Sequence, residues 1–174
     1  MGSNTDVSLL QNIIVGAISL TFTIIAIFTV DRYGRKPMMI IGALGMAVSM
    51  IALGFTFYVQ NIGIAALLFM LSYVASFAMS WGPVTWVLLS EIFPNRIRGR
   101  VMAIAVATVW ISNYIVSWTF PMMDKSSSLT GIFHHGFAYW IYGVMGLIAA
   151  WFMWKYVPET KGKSLEDIEK LWKK

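Results

Sequence analysis

The sequence predicts an all-α membrane protein, a bundle of five transmembrane helices followed by a short amphipathic helix. Of its 174 residues, 58% are hydrophobic and only 12% are charged, whereas soluble domains carry about 25% charged residues. The apolar residues form five long segments, and the charged residues lie almost entirely between them. Because backbone groups in lipid must be hydrogen-bonded within the structure, these segments are predicted to be helices.

Each segment provides the roughly 20 residues that a bilayer-spanning helix needs. The only charged residue inside any of them is Lys155, at the very end of the fifth. In chain order the segments cover residues of about 9–30, 37–58, 62–89, 101–122 and 137–156, so that residues 1–157 form the bundle.

The basic residues are sorted between the two sides of this bundle. Of the 13 Lys and Arg residues, only Lys125 lies in a connection on one side, and the other 12 lie on the opposite side. By the positive-inside rule, the basic side and the C-terminus face the cytoplasm and the N-terminus faces outside. A buried helical core of a soluble protein would not sort its charges in this way, and the net charge of +5 needs no nucleic-acid partner to explain it.

Residues 158–174 form a polar tail with a helix signal. Ser164 and Asp167 occupy the N-cap and N3 positions of a capping box. Apolar residues then follow on one helical face: Leu165, Ile168, Leu171 and Trp172. The tail is therefore predicted to form a short amphipathic helix on the cytoplasmic surface.

The third segment contains a Gly82–Pro83 pair in its interior. Proline clashes with the carbonyl four residues earlier, at a cost of about 3 kcal/mol or more. Broken membrane helices are tolerated where they line a cavity, and in transporters they often mark the substrate site. Phe77, Trp81 and Trp86 flank the break, and an indole suits a sugar ring by offering a flat apolar face and one N–H donor. A kinked helix whose aromatic residues pack on neighbouring helices is the open alternative.

Two loops on the basic side carry complementary charges. Glu91 follows the third segment, within reach of Arg96 and Arg98, and the first loop carries Asp31 and Arg35. Ion pairs between the two loops are therefore possible. Either these charges serve only as topology signals, with each pair contributing about 0–1 kcal/mol, or they form a gate at the mouth of the bundle.

Five motifs resemble the sugar porter family of the major facilitator superfamily. Together they extend over nearly the whole chain, in the family's order and spacing. They are Asp31–Lys36 (DRYGRK), Trp81–Trp86 (WGPVTW), Ser90–Pro94 (SEIFP), Arg98–Gly99 and Pro158–Gly162 (PETKG). The resemblance implies a major facilitator-type bundle in which this chain supplies helices eight to twelve of twelve. Residues 1–8 then resemble the loop between helices seven and eight.

The resemblance also implies roles for particular residues. The residues that match the sugar pocket are Phe77, Gly82, Trp86 and Trp110. Those that match the charge network closing the cytoplasmic side are Asp31, Arg35, Glu91, Arg98 and Glu159. Asn113 shares a helix face with Trp110, and both pocket lining and helix–helix hydrogen bonding stay open for it.

Two positions depart from the family pattern. Ser19 stands where the family often has Asn, and Val109 stands where it has Gln or Asn. Both of those side chains usually hydrogen-bond the sugar, and valine cannot. Either the substrate differs or the affinity is weaker.

The expected function is carriage of a pentose or hexose such as D-xylose across a bacterial inner membrane. The expected coupling ion is a proton. Proton coupling normally needs an ionisable group inside the membrane, and no predicted span contains one; the resemblance implies that the proton-carrying acid belongs to the N-terminal half of a complete transporter, within its first seven helices. Partners are the sugar, the bilayer and those seven helices; no cofactor or metal is expected, and adjacent His134 and His135 are expected to be solvated. The alternative is an integral membrane fragment without transport of its own. An enzyme is disfavoured, because the sequence has no nucleophile–base pair or phosphate-binding loop.

Overall fold

The computed structural model describes residues 2–60, 63–93 and 95–162. Within those ranges the chain forms helices and no strand. The helices are α1 (Gly2–Tyr33), α2 (Arg35–Tyr58), α3 (Ile64–Met79), α4 (Trp81–Ile92), α5 (Asn95–Asp124), α6 (Ser127–Phe133) and α7 (Gly136–Tyr156). The predicted tail helix, with its capping box at Ser164 and Asp167, lies outside the described residues.

Among the described residues, five helical stretches are long and apolar enough to cross a membrane. They are Leu9–Tyr33, Arg35–Tyr58, Ile64–Ile92, Ile97–Asp124 and Gly136–Tyr156. This confirms the predicted fold class, an all-α protein with five membrane-spanning helices. The connection before the fifth span also contains α6, a helix of 7 residues for which the sequence analysis gave no prediction.

The third span is broken two residues before the predicted position. α3 ends at Met79 and α4 begins at Trp81, while Ser80 between them has φ −131° and ψ −81° and belongs to neither helix. Pro83 is consequently the third residue of α4. The first four N–H groups of a helix have no acceptor within that helix, so a proline there removes no hydrogen bond.

α2 lies at the centre of the bundle and packs against α7, α3, α4 and α1. Its contact with α7 is close because small residues meet there: a Cβ atom added to Gly136 would lie 2.5 Å from the carbonyl oxygen of Gly54. Small residues at helix interfaces in membranes allow this approach of two backbones. The indole of Trp140 on α7 donates a hydrogen bond of 3.2 Å to the carbonyl of Ile51 on α2.

We call the end of the bundle where α1, α4 and α7 end and α2 begins the basic end. Its interior is a cluster of buried apolar side chains contributed by those four helices. The cluster consists of Ala26, Met38, Met39, Val84, Leu88, Ile92 and Met153. It fixes the start of α2 against the end of α4, where the charged residues of the candidate site lie.

α5 is the least covered helix. In the most apolar stretch of its span no residue is buried. Asn113 and Ser117 are among its exposed residues. Near its far end, the hydroxyls of Thr119 and Tyr142 lie 2.9 Å apart, and Phe120 contacts the ring of Tyr139 on α7. Most of α5 therefore presents its surface to lipid or to further protein.

Candidate functional site

Arg35 is the centre of a hydrogen-bonded cluster at the basic end. Its Nε and Nη2 atoms both donate to Oε1 of Glu91, at 3.1 and 2.8 Å. Nη2 also lies 3.0 Å from Oδ1 of Asp31, one turn earlier in the chain. The first loop and the end of α4, which are 56 residues apart in the sequence, are thereby joined.

Glu159 caps the beginning of α2 from the segment after α7. Its Oε1 accepts the backbone N–H of Arg35 at 3.1 Å, and its Oε2 accepts that of Lys36 at 3.2 Å. A carboxylate is favourable here, because the start of a helix has unpaired N–H groups and a partial positive charge. Gly34 makes room for it: its φ of 98° suits glycine, and a Cβ there would lie 2.8 Å from Oε2 of Glu159.

Two further residues of the segment after α7 join this cluster, and the sequence analysis did not single them out. The hydroxyl of Thr160, which is buried, donates to Oε2 of Glu91 at 2.6 Å. The ammonium of Lys161 donates to the carbonyl of Arg32. Their position inside the PETKG motif was the only available signal, since an isolated threonine or lysine carries no pattern of its own.

Arg98 does not join the cluster. Its Nε is buried and has no hydrogen-bond partner among the residues that the structure describes. Glu91 is instead engaged by Arg35 through Oε1 and by Thr160 through Oε2. Four of the five residues expected to form the gate thus lie together, and the role of all five stays a prediction.

The break between α3 and α4 holds three of the residues expected to contact sugar. Phe77 lies in the last turn of α3, and Gly82 and Trp86 share one face of α4. Both aromatic side chains are exposed. A Cβ at Gly82 would lie 3.5 Å from Cε1 of Phe77, an ordinary contact, so no atom of the described residues fills the space beside the glycine closely.

Trp81, the third aromatic residue at the break, is engaged within the bundle. Its Nε1–H donates to the carbonyl oxygen of Met39 on α2, at 3.0 Å. Trp81 therefore fits the alternative expectation, in which an aromatic residue at the break packs on a neighbouring helix. The exposed side chains of Phe77 and Trp86 differ from it in this respect.

Trp110 and Asn113 lie on the exposed part of α5. In the described part of the chain, no hydrogen bond or ring contact joins them to Phe77, Gly82 or Trp86. The structure therefore brings together the residues of the break but leaves the two α5 residues apart from them. Their assignment to a sugar site stays a prediction.

The two histidines form the turn between α6 and α7, with φ values of 46° at His134 and 69° at His135. Nδ1 of His135 lies 2.9 Å from Oδ1 of Asp124, at the end of α5. Nδ1 of His134 is buried and has no hydrogen-bond partner among the described residues. His135 is thus exposed to solvent, as expected, although its ring lies beside a carboxylate. His134 is half-buried with a buried Nδ1, so the expectation of a solvated side chain holds for it only in part.

Comparisons with known proteins agree with this geometry. The D-xylose-proton symporter of Escherichia coli K12 is 69% identical over 172 residues, which are 99% of this chain and 35% of that protein. The glucose facilitated diffusion protein of Zymomonas mobilis is 44% identical over 99% of this chain and 37% of its own length. The chain thus spans about a third of the curated relatives that it matches.

A solved structure gives the same result for the fold. The proton:xylose symporter XylE of the major facilitator superfamily, bound to 6-bromo-6-deoxy-D-glucose, superposes with a TM-score of 0.88. It is 69% identical in sequence and covers 99% of this chain, which covers 36% of that one. The family described as "Sugar (and other) transporter" matches residues 1–172. The chain therefore belongs to the sugar transporter family.

Proposed function

We propose that this chain is part of a secondary sugar transporter and that the break between α3 and α4 is its main contribution to the sugar site. The observation that carries the proposal is a broken membrane span with two aromatic side chains, Phe77 and Trp86, exposed beside the break. Broken spans in transporters place free backbone groups and side chains at the substrate. Trp110 and Asn113 complete the site from α5 once that helix is brought against the break.

The substrate class follows from the chemistry of these side chains. The face of an indole packs against the C–H groups of a sugar ring, and its N–H donates to a hydroxyl. Position 109 is valine, so this chain offers no amide there to hold a further hydroxyl. We expect a pentose or hexose, with D-xylose as the first sugar to test because the symporter of E. coli is named for it.

The cluster around Arg35 is the proposed gate, and the basic end faces the cytoplasm. The cluster joins the end of α4 to the start of α2 and to the segment after α7 through charge-assisted hydrogen bonds. Such bonds are strong when made and leave costly unpaired charges when broken. An opening of the basic end would have to separate Glu91, Arg35 and Glu159 together, which makes the cluster a two-state element.

Proton coupling is assigned to the remainder of the transporter. In the described spans the acidic residues lie only at the ends, as Asp31, Glu91 and Asp124 do. A coupling group in a symporter lies within the membrane. One relative of similar coverage is named a symporter and the other a facilitated diffusion protein, which supports a coupling group outside this part of the fold.

The test uses a complete transporter, made by joining this chain to the part of the E. coli symporter that it does not cover. Trp86→Ala is expected to raise the KM for labelled D-xylose uptake in proteoliposomes and to abolish sugar-dependent tryptophan quenching. The matched control is Trp154→Ala, which removes an exposed indole from α7, far along the chain from the break. If both variants change KM equally, or if Trp86→Ala lowers Tm and binding in parallel, Trp86 is a packing residue.

A membrane protein without transport of its own is the second candidate, and the open surface of α5 favours it. Asn113 and Ser117 are exposed on a span, and leaving such groups unpaired in lipid costs about 1–3 kcal/mol each. The purified chain of 174 residues is expected to give no D-xylose uptake above empty vesicles under a pH gradient. Uptake by the complete transporter alone supports the first candidate, and inactivity of both preparations supports the second.

A further inference from the structure

We propose that Trp81 is a positioning residue that sets the direction of α4 and thereby the place of the Trp86 indole. This inference rests on the proposed function, because the quantity it explains is sugar affinity. Trp81 begins α4, and Trp86 lies five residues later, about 140° around the helix at 100° per residue. A side chain that holds the first turn of α4 on α2 therefore directs Trp86 to the opposite, open side.

The hydrogen bond from Trp81 is made to a rigid part of the molecule. Its acceptor is the carbonyl of Met39, in the second turn of α2, and Met39 is fully buried. A carbonyl oxygen has two lone pairs, so it accepts the indole without giving up its helical hydrogen bond. The bond links α4 to α2 through two residues that are 42 positions apart in the sequence.

The ring of Trp81 is not held by packing on all sides. A cavity of about 310 Å³ lies beside it, between α2, α3, α5 and α7, and Tyr73, Met46 and Tyr142 also line it. On another side the ring packs against the buried apolar cluster at the basic end. The directional bond to Met39 therefore fixes the orientation of the ring together with that packing.

The junction next to Trp81 rests directly on α2. Ser80 is fully buried, and its hydroxyl donates to the carbonyl of Ser76 at 2.6 Å. A Cβ added to Gly42 of α2 would lie only 1.7 Å from Oγ of Ser80. The break is thus in contact with α2, and Trp81 is the only described side chain there that also hydrogen-bonds across the junction to α2.

The other end of α4 is held by α2 as well. Glu91 is bonded to Arg35, which lies four residues before Met39 and so on the same face of α2. α4 is therefore attached at both ends to the first two turns of one helix. Loss of the Trp81 bond releases one attachment and leaves the other, so α4 swings about its Glu91 end and displaces Trp86.

The experiment compares Trp81→Phe with Trp140→Phe in the complete transporter. Each variant keeps an aromatic ring and removes one indole N–H that donates to a carbonyl of α2. Trp140 bonds to Ile51 near the far end of that helix, away from the break. We expect similar small decreases in Tm, but a rise of roughly tenfold in the KM for D-xylose only in Trp81→Phe, with little change in kcat.

A second readout does not depend on transport. Backbone hydrogen exchange of residues 76–86 is expected to be faster in Trp81→Phe and unchanged in Trp140→Phe. Trp81→His keeps a ring N–H and is expected to recover part of the sugar affinity.

Faster exchange with unchanged KM overturns the positioning role, as does an equal rise of KM in both variants or no recovery in Trp81→His. If the parent complete transporter binds no sugar, the proposed function fails. The exchange data then still report whether Trp81 holds the junction.

Discussion

Replacement of Glu91 by glutamine is the sharpest test of the cluster at the basic end. Glu91 accepts three hydrogen bonds, two from Arg35 and one from Thr160. Glutamine keeps the shape and one acceptor oxygen but loses the charge. Arg35 then stays largely buried, with 14% of its side chain exposed, and its remaining carboxylate partner among the described side chains is Asp31.

The size of the effect follows from these contacts. A hydrogen bond to a charged group contributes about 1.5–3 kcal/mol, and the 27% exposure of Glu91 lowers this by solvent screening. Because glutamine retains one acceptor, we expect Glu91→Gln to destabilise the closed basic end by about 2–3 kcal/mol, roughly 30–150-fold in a two-state equilibrium.

The chain offers a matched control in Asp31→Asn. Asp31 pairs with the same Nη2 atom of Arg35 at 3.0 Å, but its side chain is 77% exposed and one turn away on the chain. Exposed pairs of this kind contribute about 0.3–0.5 kcal/mol. Asp31→Asn should therefore change the closed state little.

The assay is the reactivity of a cysteine at half-buried Ser90 with an impermeant thiol reagent, together with Tm, in the complete transporter. Glu91→Gln is expected to increase the labelling rate and the fraction of inward-open molecules, and high salt should act weakly in the same direction. Equal labelling in the two variants, or no change in either, would refute the cluster as a gate and leave its charges a topological role.

Three further predictions concern packing, topology and specificity. Gly42→Ala should lower the free energy of unfolding by about 1–3 kcal/mol, because its Cβ would lie 1.7 Å from a buried serine hydroxyl. The control is Gly16→Ala, whose Cβ would have no atom within 4 Å. In the same thermal unfolding measurement this control should be neutral or slightly stabilising. A cysteine at Ser127 should react with an impermeant reagent outside intact cells and one at Lys163 should not, since 12 of 13 basic residues are on the Lys163 side; the reverse pattern would invert the topology. Val109→Gln should tighten binding of D-xylose by adding an amide at the site, and an unchanged Kd would mean that this position does not face the sugar.

The fold was predictable because lipid imposes one strong rule on the sequence. Apolar segments without charges must be helices, and the five observed spans follow those segments. The position of the break was predicted less well, since proline marks where a helix can restart and Ser80 marks where it stops. At that position Ser80 lies against Gly42 of α2, a tertiary contact that no local pattern contains.

The candidate site shows a similar division. Complementary charges in two loops predicted a contact between Arg35 and Glu91, which the structure contains at 2.8 Å. The charges did not predict that Thr160 donates to the second oxygen of Glu91, or that the buried Nε of Arg98 has no hydrogen-bond partner among the described residues. Which donors reach a carboxylate depends on three-dimensional geometry, and the sequence gives only charge and spacing.

The cap that Glu159 places on α2 has a consequence for biosynthesis. The two N–H groups that it accepts belong to residues 35 and 36, which leave the ribosome more than a hundred residues before Glu159 does. Until then water must accept the hydrogen bonds of these two N–H groups, and the segment after α7 does not yet cover the basic end. The last helix must be inserted before this early helix acquires its cap. The start of α2 is thus capped only after residue 159 has been synthesised, and a nascent chain that stalls earlier leaves these two N–H groups without their carboxylate.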